Sequence, residues 1–274
     1  EIEIKKNENN IFEPIIEYIF YSSFNSKAFI NKLIDLNENI DELNDLNKIL
    51  TKSDLLIIEN LIFKFQNNNE SLNEYEIYLL SNKLIKWNTK NNLIIMDLFR
   101  VMVLYFDSPK LLNNVDLELK YIIFITSFLK YSEEKYLILY LKLLANMCKL
   151  NGKTLITGEQ IICESLISKL PFNNKINEMF LIFLTNFLSY IIENRKANNI
   201  SIWIDLLIKI EPTNKNLSEN NLINYCIIIY NIICINKEKF VEINNNKSIS
   251  KYILNLLDKN QLIIKLQNYL KNDI

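Results

Sequence analysis

LLANM (Leu143–Met147), FLTNF (Phe183–Phe187) and IIYNI (Ile228–Ile232) are three apolar pentapeptides, each with asparagine at its fourth place. Asn146 to Asn186 is 40 residues and Asn186 to Asn231 is 45. Armadillo and HEAT units repeat about every 40 to 47 residues, so the spacing is that of one inner helix recurring once per unit. The surrounding runs, Tyr136–Met147 and Leu222–Ile235, are apolar on more than one face, so neighbours must cover each helix on several sides. Stacked layers of helices do this, and the expected fold is all-α: an armadillo/HEAT-like right-handed superhelix of stacked helical repeats.

The rest of the chain reads the same way. Two glycines and four prolines are too few to punctuate a many-stranded sheet, while apolar residues recur at spacings of three and four nearly throughout. The periodicity predicts helices over 26–38, 53–67, 72–87, 91–106, 116–131, 134–150, 158–169, 174–194, 201–211, 217–236, 248–259 and 261–271. Ser53 with Asp54, and Ser201, are expected N-caps, and Pro109, Pro171 and Pro212 fall where helices should stop. Residues 1–10 read as a polar, flexible leader and 11–274 as a single repeat domain, the C-terminal part of a longer protein.

Composition excludes much. Histidine is absent, which removes the usual general base and most zinc and haem sites. Gly152 and Gly158 alone cannot build a phosphate-cradling loop. Adjacent acids such as Glu133 and Glu134 point in different directions on a helix and suggest no pocket. No catalytic residue, metal or cofactor is therefore expected. An enzyme would have to use carboxylates or a lone cysteine such as Cys163. Lysine and arginine total 31 against 32 acids, a net charge of -1, so nucleic acid and anionic membranes are not expected partners. Cys148, Cys163, Cys226 and Cys234 show no CxxC spacing and fit a reducing compartment. The most apolar stretch, Met179–Ile192, is shorter than the roughly 20 residues of a membrane span and contains Asn186, which favours a buried helix.

Two readings of Asn146, Asn186 and Asn231 are open. Their amides could bond the backbone of an extended peptide lying on the concave helices, each offering donor and acceptor. They could equally satisfy a neighbouring loop carbonyl. Arg100 and Arg195 are the only arginines, and a planar fork suits a bidentate grip on carboxylate. An ion pair with Asp97, three residues away, is the structural alternative for Arg100, and a helix C-terminus is that for Arg195. Trp87 and Trp203 read as core rather than as anchors.

Several segments, in order, resemble the PUL domain, the C-terminal armadillo-like domain of phospholipase-A2-activating protein and its fungal ubiquitin-pathway counterparts. IFEPIIEYIFYSSFNSKAFINKLIDLNENI (Ile11–Ile40) resembles the family's opening, and ILTKSDLLIIENLI (Ile49–Ile62) its second segment. KWNTKNNLIIMDLFRVMVLYFDSPKLL (Lys86–Leu112) is similar to its most recognisable stretch, with a tryptophan and an LDLLR-like core. LKLLANMCKLNGKTL (Leu141–Leu155) and FLTNFLSY (Phe183–Tyr190) resemble its asparagine helices. Tyr105 and Phe106 stand where the family has His-Pro, and Lys142 where it has arginine. The resemblance implies an adaptor that binds the acidic C-terminal tail of the AAA ATPase valosin-containing protein. Ubiquitin would be met only indirectly, through other domains of a longer protein, in the cytoplasm with the nucleus also open to it. Lys142, at the arginine-like place, and Lys153, after the Gly152 turn, would extend a basic strip. The expected peptide-binding set is Arg100, Lys142, Asn146, Lys153, Asn186, Arg195 and Asn231.

Overall fold

The computed structural model describes residues 14–39, 50–66, 72–84, 93–105, 122–123, 125–127, 129, 133–194, 203, 206, 218–236, 238, 241, 253 and 261–272. The chain is all-α, and no strand occurs among the described residues. Its helices are α1 (Ser26–Glu38), α2 (Lys52–Gln66), α3 (Glu74–Tyr78), α4 (Leu93–Met102), α5 (Glu134–Thr157), α6 (Glu159–Ile167), α7 (Asn174–Glu193), α8 (Glu219–Ile235) and α9 (Gln261–Asn272). Most of the helices expected over 116–131, 201–211 and 248–259 falls outside the described residues, as do Trp87, Pro109, Ser201 and Pro212.

Two compact units are present, one of Glu1–Ile19 with Cys163–Ile274 and one of Phe20–Ile162. In the second, α4 packs on α5, α1 on α2 and α4, and α2 on α3. Tyr136, Tyr140, Leu141, Leu144 and Met147 of α5 are almost wholly buried there. In the first unit, α7 packs on α8 and α8 on α9. Phe183 and Phe187 hold Trp203 between centroid distances of 5.2 and 4.9 Å, and Trp203 is 1% exposed, a core tryptophan. At 20 residues, α7 is longer than its most apolar stretch suggested and passes the length test for a membrane span. However, 83% of its apolar window is buried inside the protein, as in a core helix.

Local chemistry sets the helix ends. Asn25, Asn73 and Asn173 each accept a hydrogen bond from a backbone N–H three residues on, at 3.0, 2.9 and 3.0 Å. The start of α2 is capped by Thr51, not Ser53: Asp54 N–H donates to Thr51 Oγ1 at 3.1 Å and Thr51 N–H to Asp54 Oδ2 at 2.8 Å. Past Tyr78 the chain widens into a π-helical turn, Leu79–Leu84, whose i+5 register turns both Leu79 and Leu84 fully inward. Gly152 does not end α5. Thr154 and Leu155 beyond it are both 0% exposed, and burying them offsets the roughly 1 kcal/mol that glycine costs a helix. Lys153 therefore lies on the helix rather than after a turn. The end comes at Gly158, where an added Cβ would stand 2.7 Å from two carbons of the Ile122 side chain.

Candidate functional site

An extended backbone turns the N–H and C=O of every second residue toward one edge. Pro14–Asn25, a stretch without helix, uses that edge against the helices; we call it the strap. In the first unit, Ile15 N–H donates to Asn231 Oδ1 at 2.9 Å and Asn231 Nδ2 donates back to Ile15 O at 2.8 Å. Asn186 treats Ile19 in the same way, at 2.8 Å in both directions. Between them, Glu17 N–H donates to Ser189 Oγ at 3.0 Å and the hydroxyl donates to Glu17 O at 2.8 Å. A primary amide carries one donor face and one acceptor face, so it completes a residue's two backbone bonds as a neighbouring strand would. Ser189 lies three residues after Asn186 and so shares its face of α7.

In the second unit the strap meets charge as well. Tyr21 N–H donates to Asn146 Oδ1 at 2.8 Å, and Asn146 Nδ2 donates to Tyr21 O at 3.0 Å and to Arg100 O at 2.7 Å. Arg100 donates through one terminal nitrogen to Tyr21 O and through the other to Ser23 O at 2.8 Å, while its Nε donates to Asp97 Oδ1 at 2.7 Å. With 5% exposure the guanidinium has lost its water, and a carboxylate with two carbonyls compensates that loss. Phe24 closes the strap against Phe29 and Phe65, with centroids 5.3 and 6.3 Å away. Tyr105 stacks on Phe65 at 6.1 Å, which gives this departure from the family pattern a packing role.

Above this lies a cationic stripe. Lys142, Asn146, Lys149 and Lys153 are spaced by four, three and four along α5, so they share one face. Lys142 Nζ stands 4.9 Å from the Tyr21 ring centroid and Lys149 Nζ 5.9 Å from that of Phe20. Lys153 is exposed, and Phe20 and Leu150 expose 37% and 43% of their surface.

The candidate residues thus have definite places. Asn146, Asn186 and Asn231 are all 0% exposed and bond extended backbone, which belongs to the chain's own residues 15–21. Arg100 makes the Asp97 pair that its spacing allowed, with the strap's carbonyls as further acceptors. Arg100, Lys142 and Asn146 meet at Tyr21, and Lys153 continues their stripe. Arg195 lies outside the described residues. Sequence reasoning missed Ser189, Lys149 and the strap itself. Helical spacing from Asn186 and Lys142 points to the first two.

Other polar groups serve the scaffold. Burial alone would raise the Asp54 pKa, but hydrogen bonds from Lys83 and Thr51, with the Lys83 charge, hold it below the ordinary 3.8. Lys83 Nζ is 2.7 Å from Asp54 Oδ2, and the Tyr75 hydroxyl donates to Oδ1 at 3.1 Å. Burial pushes the Cys226 and Cys234 thiols up to about 12 and about 11, and Cys148 well above its usual value. Cys163 is a buried free thiol. Among the described residues no group of three or more His, Cys, Asp or Glu could hold a metal ion.

Among known proteins, the family model described as the PUL domain matches residues 14–216, from the first residue of the strap through α7 and beyond. No curated protein matches the chain.

Proposed function

The chain belongs to the PUL domain family, and from that premise we propose that it is a non-catalytic adaptor binding the acidic C-terminal tail of the valosin-containing AAA ATPase. PUL domains are protein-interaction domains. In this reading the chain joins ubiquitinated cargo, held by other domains of a longer protein, to the ATPase, in the cytoplasm and also the nucleus. The observation that supports an acidic partner most directly is the stripe Lys142–Lys149–Lys153 beside the exposed Phe20 and Leu150. With a net charge of -1, the chain attracts no polyanion as a whole, so recognition of acid has to come from such a local strip. Ammonium groups would meet tail carboxylates while the neighbouring apolar side chains take an anchor residue. A net charge of -1 counts against the nucleic-acid alternative.

Titration of the chain with a fluorescent copy of that acidic tail, at two salt concentrations, tests the reading. Saturable binding that weakens with salt and falls at least about ten-fold in Lys149→Glu/Lys153→Glu is expected, as for exposed charge pairs. Arg195→Glu, measured alongside, reports whether that arginine joins the strip. Absence of binding by the folded chain would refute the proposal and leave a helical-repeat scaffold for another partner.

A further inference from the structure

We propose that Asn186, Ser189 and Asn231 form a peptide-binding site whose resident is this chain's own strap, and that the same segment of a second copy can take its place. Asn231, Ser189 and Asn186 hold Ile15, Glu17 and Ile19 through six hydrogen bonds of 2.8 to 3.0 Å, all to backbone N–H and C=O groups. Recognition of this kind reads an extended chain by its alternation, and the segment that fits by construction is carried by every copy of the protein. Pro14 has no N–H to offer, and it stands at a place whose backbone faces the other edge, where proline costs no bond.

The strap is laid on the unit rather than built into it. None of residues 14–25 is buried, and Ile16 keeps 47% of its surface exposed. Tyr18 adds a hydroxyl bond to Glu193 at 2.5 Å, on the exposed surface. By contrast, α7 and α8 are buried along most of their length and pack on each other, so the side chains of the site are held by the core whether or not the strap is seated. The lysine stripe of α5 takes no part in this site.

The test uses the full chain carrying Glu17→Pro and Ile19→Pro, which removes the N–H donors to Ser189 and Asn186 and weakens the strap in cis. A labelled peptide of residues 12–21 should bind this variant and bind the native chain at least about ten-fold more weakly, because a tethered competitor acts at a high effective concentration. Adding Asn186→Ala and Asn231→Ala to the weakened chain should abolish binding. Equal binding to both chains, binding indifferent to the asparagines, or no binding to the weakened chain would overturn the proposal. Should the proline variant fail to fold, amide exchange in the native chain decides. The Ile15, Glu17 and Ile19 amides are expected to exchange at least about a hundred-fold faster than those of central α7, through an opening of the strap alone. Exchange of both sets only together would overturn it.

Discussion

Residues 15–19 and residues 21–23 belong to one extended stretch, yet two different chemistries hold them. Neutral amide and hydroxyl groups bond the first, in the unit built on α7 and α8. The second is bonded by Asn146 and by the buried Arg100, in the unit built on α4 and α5. Neutral groups that lose the strap can bond water and leave no buried charge. Arg100 gives the strap's carbonyls two bonds from a charged donor, each roughly twice as strong as a neutral one, so the Arg100 end is the anchored one. The same backbone geometry is thus fastened at one end and lightly held at the other.

The buried thiols allow each unit to be followed alone. Cys148 sits in the Arg100 unit and Cys226 in the other, and with their pKa values raised by burial both should react only when their own unit opens. The largest expected effect is that of Arg100→Ala, which takes the guanidinium bonds from Asp97, Tyr21 O and Ser23 O and leaves Tyr21 O to Asn146. It should cost about 3 kcal/mol in urea unfolding and speed Cys148 trapping more than Cys226 trapping. A loss as small as that of an asparagine variant would erase the distinction between the ends. Asn146→Ala comes next, at about 2 kcal/mol, since it removes three bonds, one of them to the buried Arg100 carbonyl. Asn231→Ala should cost about 1 kcal/mol and leave Cys148 trapping unchanged, because the freed Ile15 end rehydrates.

Acid gives the smallest effect and sharpens the comparison from the other side. Asp54, in the Arg100 unit, has a folded pKa below its ordinary 3.8, so its contribution to stability is fully present above that value and is lost as pH falls through the depressed one. The stability gap between native chain and Asp54→Asn should therefore be constant from neutrality down to about pH 5 and close below it. A gap that widened in acid would reverse the sign.

Much of this was legible before any coordinates. The asparagines mark three core helices because a buried polar residue among apolar ones stands out at helical spacing, and Asn146, Asn186 and Asn231 do lie buried on α5, α7 and α8. Their partner was not legible. Pro14–Asn25 has the 3.6-residue period of no helix, and the side chains that bond its backbone from the helices stand 77 to 216 positions away. Gly152 was a misleading signal, since a glycine stops a helix only where nothing apolar follows to be buried, and Leu155 follows.

Local rules, then, determined what the chain could decide within a few turns: helix rather than strand, the apolar faces, and the chemistry that the absence of histidine rules out. Tertiary structure decided which groups meet. An asparagine amide is complementary to any extended backbone. Only the packing of α7 on α8 in one unit brought residues 15–19 to those amides, and only that of α4 on α5 in the other sent Arg100 to its own chain's carbonyls.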